Sequence, residues 1–424
     1  MSPESLSTEP YKGVRDFYPA DWARLSALFS KMRTTLHASG YEEYNASPLE
    51  RAELYEAKTS EEIVNEQTYT FTDRGDRRVT LRPEMTPTLA RMVAGKRREI
   101  PLPLRWFSIP NVFRYERPQK GRLREHYQLN VDLVGSDSRE ADLEIIGLAS
   151  ELLRTFGAKE SDFIIRVNSR ALLTHACEAS GLTPEATRAY LRLLDKKSKM
   201  TPETFVASRT ALSPRDPLAV IEHDAGSSSD VAREKRSLLD TVETLANRGV
   251  DNAVFDPTLT RGFDYYTGVV FEIFDTNPAN PRSLFGGGRF DKLVALFGGD
   301  PLPAVGFGMG DVTLSDFLDT HHLTPGERDA RPELYLGTPS ADDIPAAQAF
   351  ARDLRAQGSR VFVNLTDRSL GDQIKDAVKR AIPLFIAYGA DEVANQTVRM
   401  KILQTGEEVG LPVSKLPLRL RTGS

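Results

Sequence analysis

The pattern of apolar and polar positions predicts helices and strands along the whole chain. Apolar residues recur at helical spacing over residues 21–39, and a glycine that can end the helix follows at position 40. A second helix is predicted from Ser138, its N-cap, to position 156. The apolar runs FIIRVN (163–168) and VVFEIF (269–274) are typical of buried strands. The first helix is expected to bury one face formed by Trp22, Leu25, Leu28, Phe29, Met32 and Leu36.

Antiparallel hairpins are predicted at two places. Residues 69–71 and 79–81 flank the turn sequence DRGDRR, and residues 111–135 form a longer hairpin around the basic loop RPQKGR. Alternation places Arg114 and Glu116 on one face of the first long strand. This hairpin suits a polyanion such as a nucleotide, although a hairpin whose polar face meets only water has the same pattern. In its second strand, an apolar face of Tyr127, Leu129, Val131 and Leu133 alternates with a polar face of His126, Gln128, Asn130 and Asp132.

Two polar residues, Glu84 and Thr86, precede a third predicted helix. This helix is expected to begin at Pro87 in LRPEMTPTLARMVA. Leu89 and Met92 are expected to face inward. Thr86 or Glu84 could cap the helix N-terminus, or the Glu84 carboxylate could bind an ammonium group. The pattern leaves both alternatives open.

Two glycine-rich segments follow, FGGGRFDKLVALFGG and PAVGFGMGDVTLSDFL. Consecutive glycines let a backbone pass close to a ligand or to another strand. Their spacing matches neither the dinucleotide-binding fingerprint nor the Walker phosphate loop, so both classes of nucleotide site are excluded.

The pattern changes twice along the chain. Residues 169–248 are helical and polar, and are expected to form an inserted helical module whose charged runs are solvated faces. From position 331, strands and helices alternate at a spacing that predicts a small α/β domain. That last segment carries a net charge of +2 and the remainder −7, which favours a polyanionic partner for the terminal domain.

Composition excludes several other classes. The 424 residues suffice for two or three domains, and no apolar run approaches the length of a membrane span. The polar N-terminus, MSPESLSTEPYKG, lacks the apolar segment of a secretory signal. One cysteine and six scattered histidines argue against disulfides and a protein-held metal centre. A cytoplasmic protein with no membrane partner is expected.

Several motifs in this order resemble the histidyl-tRNA synthetases, which are class II aminoacyl-tRNA synthetases. They are the extended segment around Pro48, FRYERPQKGR followed by Gln128 and Asp132, RGFDYYTG (261–268) and GGGRFD (286–291). The resemblance covers nearly the whole chain. It implies an α+β catalytic domain, with an antiparallel sheet flanked by helices, in residues 1–168 and 249–325. A helical insertion would occupy residues 169–248, and a C-terminal α/β anticodon-binding domain residues 331–424.

The resemblance also implies an activity and its partners. L-histidine would react with ATP to give histidyl-adenylate and pyrophosphate, and histidine would then pass to the 3′ end of tRNA(His). Mg²⁺ would accompany ATP, and the Pro48 segment would form a homodimer interface. Both steps require fixed positive charge rather than a covalent enzyme intermediate.

The roles implied for single residues follow the family motifs. Arg114 and Arg261 would be catalytic and bind the α-phosphate. ATP would contact Arg114, Glu116, Arg122, His126 and Arg261. Histidine would contact Glu84, Thr86, Gln128, Asp132, Tyr265 and Tyr266. Arg117 and Gln119 would meet the tRNA acceptor end.

Three positions depart from the family pattern. His126 stands where an aromatic residue stacks on adenine, Phe290 where a tyrosine is common, and Thr313 where the third class II motif usually has an arginine. The last departure keeps open a non-catalytic relative that binds histidine as a signal, like the regulatory subunit of ATP phosphoribosyltransferase. A synthetase-like scaffold that binds tRNA without chemistry is a further alternative.

Overall fold

The computed structural model describes residues 6–56, 67–116, 122–197, 200–213, 215–223, 229–261, 265–323 and 331–417. The chain divides into two compact units, residues 1–327 and 328–424. Each unit has its own sheet and its own hydrophobic core. No helix in the described ranges combines the length and the apolar content needed to cross a membrane.

A large sheet forms the centre of the first unit. The strands of this unit are β1 (Glu42–Glu43), β2 (Leu49–Arg51), β3 (Tyr69–Thr72), β4 (Arg78–Leu81), β5 (Leu104–Ser108), β6 (Asn111–Phe113), β7 (Glu125–Val134), β8 (Phe163–Ser169), β9 (Ala253–Phe255), β10 (Val269–Asp275), β11 (Ser283–Arg289) and β12 (Ala304–Gly310). The large sheet has the order β1-β5-β7-β12-β11-β10-β8-β9, and β6 pairs with β7. Its strands are antiparallel except for the parallel pairs β1–β5 and β8–β9 at the two edges. Strands β2, β4 and β3 form a separate small antiparallel sheet.

Helices flank this sheet. They are α1 (Pro19–Ala38), α2 (Glu53–Glu56), α3 (Thr86–Lys96), α4 (Arg139–Thr155), α5 (Arg170–Ala179), α6 (Pro184–Asp195), α7 (Pro202–Leu212), α8 (Pro217–His223), α9 (Asp230–Asn247) and α10 (Asp311–Thr320). The Ser138 hydroxyl accepts a hydrogen bond from the Glu140 N–H and caps α4 as predicted. Residues of α5–α9 belong to the same hydrophobic cluster as α1, α4 and the sheet, so this helical segment shares the core of the first unit.

The apolar face predicted for β7 belongs to this core. Leu129, Val131 and Leu133 are buried against α1 and α4, which leaves the other face of β7 for polar residues. The prediction for Trp22 was wrong, because its side chain is 44% exposed at the first turn of α1. Its ring lies beside Phe17, with 5.8 Å between ring centroids, and covers the end of the core rather than entering it.

The second unit is a five-stranded mixed sheet with helices, counted over its described residues. Its elements are β13 (Leu334–Gly337), α11 (Ile344–Ala356), β14 (Val361–Val363), α12 (Leu370–Lys379), β15 (Leu384–Ala387), α13 (Ala390–Asn395), β16 (Thr397–Ile402) and β17 (Glu408–Pro412). Strands β14, β13 and β15 are parallel, and β16 and β17 continue the sheet antiparallel. The predicted architecture, an antiparallel sheet flanked by helices followed by an α/β unit, is confirmed.

Candidate active site

A cavity of about 210 Å³ opens on the polar face of the large sheet. Strands β7, β11 and β12 form its floor, the start of α3 forms one wall, and the chain after β6 lies at another. Its lining gathers most of the residues singled out in the sequence: Glu84, Thr86, Arg114, Glu116, Arg122, His126, Gln128, Asp132, Arg261, Tyr265 and Tyr266. Arg117 and Gln119 lie outside the described residues.

Glycines keep the cavity floor open. Gly286 and Gly308 lie opposite each other in the β11–β12 pair, and so do Gly288 and Gly306. A Cβ atom at Gly306 would overlap the Asp132 carboxylate. Glycine at these positions therefore lets side chains from neighbouring elements lie flat across the sheet. The alternate glycines of VGFGMG are the sequence signal for this floor, whereas the sequence analysis predicted only a close approach of the glycine-rich backbone to a ligand or to another strand.

The polar face of β7 carries a hydrogen-bonded pair and a buried acid. The Gln128 side-chain amide donates to the Asn130 side-chain oxygen Oδ1 at 2.7 Å. Asp132 is 3% exposed, and its Oδ2 atom accepts no hydrogen bond from any described residue. Burial raises the pKa of Asp132 well above its ordinary value. A buried carboxyl group that lacks a donor is suited to receive one from a ligand.

A second acid stands at the start of α3. The Tyr265 hydroxyl donates to Glu84 Oε2 at 2.9 Å, which joins two parts of the chain 181 residues apart. Met85 occupies the N-cap position of α3 with no side-chain cap, so the capping interpretation of Glu84 and Thr86 was wrong. Met92, expected to face inward, is only half-buried, and Val93 packs in the core instead. The Glu84 carboxylate thus faces the cavity and Tyr265 rather than the helix.

Three arginines bring positive charge to the cavity. Arg114 Nε donates to the Pro83 carbonyl at 2.9 Å, and Arg122 donates to the Glu116 carboxylate at 3.0 Å. Arg261 pairs with Glu272 at 3.1 Å, and its side chain is 12% exposed. The strand predicted to carry Arg114 and Glu116 ends earlier, at Phe113, because the chain leaves the sheet there.

Arg261 is fixed by more than its ion pair. Its guanidinium lies 5.6 Å from the centroid of the Tyr266 ring, and a Cβ atom at Gly286 would overlap its Nη1 atom. Its buried Nε donates to no acceptor among the described residues. The cation is therefore held in place while one donor stays available for an anion.

Burial and the neighbouring positive charges act together on His126. Burial, followed by repulsion from Arg114 and Arg15, lowers the pKa of His126 to about 3. The imidazole is therefore neutral at pH 7, which permits stacking on a base without adding charge. Arg15 itself forms an ion pair with Asp311 at 2.7 Å, and sequence reasoning had not singled it out.

The remaining departures from the family pattern also lie at the cavity. Thr313 donates from its hydroxyl to the Leu284 carbonyl at 2.7 Å. Phe290 is buried against Tyr265, with 6.0 Å between ring centroids, and adds an apolar wall. Thr313 therefore supplies no positive charge, and Phe290 supplies no hydroxyl, at positions where the family pattern has one.

Comparison with known proteins agrees with this geometry. The family model described as histidyl-tRNA synthetase matches residues 13–312, and the model described as anticodon binding domain matches residues 335–422. The chain is 43% identical to the histidine–tRNA ligase of Leptospira biflexa, over 95% of this chain and 94% of that protein. It is 39% identical to the histidine–tRNA ligase of Opitutus terrae, over 96% of this chain and 97% of that protein.

Solved structures share the fold. The histidyl-tRNA synthetase of Nostoc sp. PCC 7120 superimposes with a TM-score of 0.77 at 22% identity, covering 98% of this chain and 100% of that one. A Bacillus halodurans protein described as an ATP phosphoribosyltransferase regulatory subunit/histidyl-tRNA synthetase gives a TM-score of 0.70 at 23% identity, covering 90% and 98%. With two family models and relatives matching along nearly its whole length, the chain belongs to the histidyl-tRNA synthetase family.

Proposed function

We propose that the chain is a histidine–tRNA ligase that activates L-histidine with ATP and transfers it to the 3′ end of tRNA(His). One observation carries the proposal. A single cavity combines fixed arginines with two buried acids, in a chain 43% identical to a histidine–tRNA ligase over 95% of its length. Cations suit a phosphoryl compound, and buried acids suit an amino acid with an ammonium and an imidazole.

In the activation step, a carboxylate oxygen of histidine attacks the α-phosphorus of ATP. A P–O bond forms there, and the bond to the β-phosphate oxygen breaks as pyrophosphate leaves. Arg114 and Arg261 would stabilise the charge on the α-phosphate. The Pro83 carbonyl holds Arg114 and Glu272 holds Arg261, so neither cation needs to reorganise as the charge develops.

The remaining contacts with ATP would come from the mouth of the cavity. We assign Glu116 and Arg122 to the adenine end and the outer phosphates, and neutral His126 to stacking on the base. Within the described ranges, no three His, Cys, Asp or Glu side chains are grouped to hold a metal ion. Mg²⁺ accompanying ATP would supply further neutralisation of the phosphate charge beside Arg114 and Arg261.

Histidine would be recognised at both ends. Glu84, Thr86 and Gln128 would receive the ammonium group, with Tyr265 orienting the Glu84 carboxylate. Asp132 and Tyr266 would contact the imidazole. Because a buried acid without its donor is unfavourable, a site of this kind rejects apolar analogues by about 10⁴-fold or more.

The partners of the second step lie elsewhere on the chain. The terminal unit would bind the anticodon, and Arg117 and Gln119 would meet the acceptor end of tRNA(His). The segment at Pro48, with the half-exposed Leu49 in the edge strand β2, would contribute to a homodimer interface. We place the enzyme in the cytoplasm, where its tRNA substrate is found.

ATP–pyrophosphate exchange with each amino acid in turn tests the proposal. Exchange with histidine alone, followed by charging of tRNA(His), is the expected result. Histidine binding without exchange would favour the histidine-sensing relative and implicate Thr313. Exchange with another amino acid would overturn the assignment of the cavity.

A further inference from the structure

Three polar residues on neighbouring strands share the face that carries the cavity. The Tyr44 N–H donates to the Phe107 carbonyl at 2.8 Å, directly after the parallel pairing of β1 with β5. The next step of this register sets Tyr44 beside Ser108. In the β5–β7 pair, Trp106 lies opposite Asp132, and residues two apart on a strand share a face. Tyr44, Ser108 and Asp132 therefore lie on one face.

Each of these three residues has a buried polar atom without a well-formed hydrogen bond. The Tyr44 hydroxyl, the Ser108 hydroxyl and Asp132 Oδ2 make no hydrogen bond of normal geometry with any part of the chain that the structure describes, although the Ser108 hydroxyl is close enough to Tyr44 to influence it. Leaving one such group unpaired costs about 1–3 kcal/mol. Three of them on one face, two donors and one acceptor, form a complementary set rather than three separate defects.

Electrostatics agrees with this placement. Burial raises the pKa of Tyr44 well above its ordinary value and the charge of Asp132 raises it further, whereas hydrogen bonding by the Ser108 hydroxyl lowers it. Tyr44 and Asp132 lie two strands apart, roughly 10 Å between strand axes, a gap that their two side chains can close from both ends. The Tyr44 ring also packs on Trp106, with 5.4 Å between centroids, which directs it along the sheet.

We propose that Tyr44, supported by Ser108, is a positioning residue that donates to the Asp132 carboxylate and holds it toward the imidazole of bound histidine. The inference rests on the proposed function and extends it. Asp132 lines the cavity, whereas Tyr44 and Ser108 do not, so both act through Asp132. They form a second layer of the histidine pocket that no motif in the sequence marked.

The Tyr44→Phe variant removes the hydroxyl and keeps the ring. We expect KM for histidine in pyrophosphate exchange to rise about tenfold, as for a lost hydrogen bond to a charged group. KM for ATP and kcat at saturating histidine stay unchanged. Ser108→Ala acts in the same direction with a smaller effect. In an Asp132→Asn background, Tyr44→Phe adds no further loss, because the two residues act as one unit.

Tyr41 provides the matched control. Its hydroxyl donates to Glu144 at 2.9 Å, and its ring lies in the core on the other side of the sheet. Tyr41→Phe removes a hydroxyl from the same segment and should leave KM for histidine unchanged. An unchanged KM in Tyr44→Phe, or equal losses in both variants, would overturn the positioning role.

Calorimetric binding of histidine without ATP separates this inference from the proposed function. If the unmodified chain binds histidine without exchange, and Tyr44→Phe alone weakens binding about tenfold, the ligase proposal fails and the positioning role stands. Exchange with histidine that is indifferent to Tyr44→Phe retains the ligase and refutes the positioning role. A chain that does not bind histidine refutes both.

Discussion

An alanine at position 308 would test the cavity floor with the smallest possible change. A Cβ atom at Gly308 would overlap Gln128 Nε2 and lie 3.1 Å from Gln128 Cδ and 3.5 Å from Asn130 Oδ1. All three nearest atoms belong to side chains, and the backbone of Gly308 is in an ordinary β conformation. The Gln128 amide must therefore rotate away while the strand keeps its place.

Gly308→Ala should affect folding stability and histidine binding by different amounts. Rotation breaks the hydrogen bond from Gln128 to Asn130, which costs about 1 kcal/mol. The loss of unfolded-chain entropy on replacing glycine by alanine offsets about 0.4–1 kcal/mol of this, so global stability changes little. The proposed contact between Gln128 and the histidine ammonium is worth about 1.5–3 kcal/mol. KM for histidine should therefore rise about 10- to 100-fold.

The assay combines pyrophosphate exchange at varied histidine with urea unfolding of the same preparation. Gly308→Ala should raise KM for histidine while the unfolding free energy stays within about 1 kcal/mol of the unmodified chain. KM for histidine within twofold of the unmodified value would refute the placement of Gln128 at the ammonium.

Alanine substitutions at two other glycines provide comparisons for Gly308→Ala. Gly147 lies in α4 with no atom within 4 Å of its Cβ position, so alanine there should stabilise the fold by about 0.5–1 kcal/mol and leave KM unchanged. A Cβ atom at Gly287 would overlap the Gly306 carbonyl and lie 2.7 Å from Phe307 Cα, both backbone atoms of β12. Gly287→Ala should therefore separate β11 from β12 and lower stability by about 3 kcal/mol or more.

Three further predictions address charge. Arg114→Ala should lower the exchange kcat by about 10²–10³-fold with little change in KM for histidine, measured by steady-state kinetics. Arg289→Met leaves Asp142, 6% exposed, without its cation and should cost about 3–5 kcal/mol in urea unfolding. Adding Asp142→Leu should recover part of that loss. Because the folded pKa of His126 is depressed to about 3, the unfolded chain binds the extra proton below pH 6.5, and stability should fall by about 1.4 kcal/mol per pH unit toward pH 3. His126→Asn should remove that slope, and the exposed His223→Asn should keep it.

Local periodicity was sufficient to predict the strand that forms the site. In β7 the two-residue repeat separated Leu129 and Val131 from Gln128 and Asp132, and both faces are confirmed. A strand carries its alternation in every residue, so burial of one face fixes the other. The prediction that Trp22 is buried was wrong because helical spacing alone carries less information. A helical repeat does not reveal where the neighbouring layer ends, and the first turn of α1 extends past it.

Contacts between distant segments could not be predicted from periodicity. Tyr265 and Glu84 are 181 positions apart, and no local pattern links a tyrosine after Arg261 to an acid before α3. Only the family resemblance brought them into one set of residues. Neither local periodicity nor the family resemblance indicated Tyr44. The adjoining strand β1 is only two residues long and has too few positions to define a face.

In the glycine-rich segments, the structure shows which glycines approach cavity side chains and which approach a neighbouring strand. The sequence allowed consecutive glycines to serve either a ligand or another strand, and the structure shows both uses. Gly308 lies beneath Gln128 and serves the cavity, whereas its partner Gly286 lies beneath Arg261 and also against the Phe271 carbonyl of β10, so it serves both the cavity and the sheet. Gly287 points its missing Cβ at the backbone of β12, so it serves the sheet. Because, of these three glycines, only Gly308 has a Cβ position that meets side chains alone, alanine at Gly308 should give a kinetic defect, whereas alanine at Gly287 should give a folding defect.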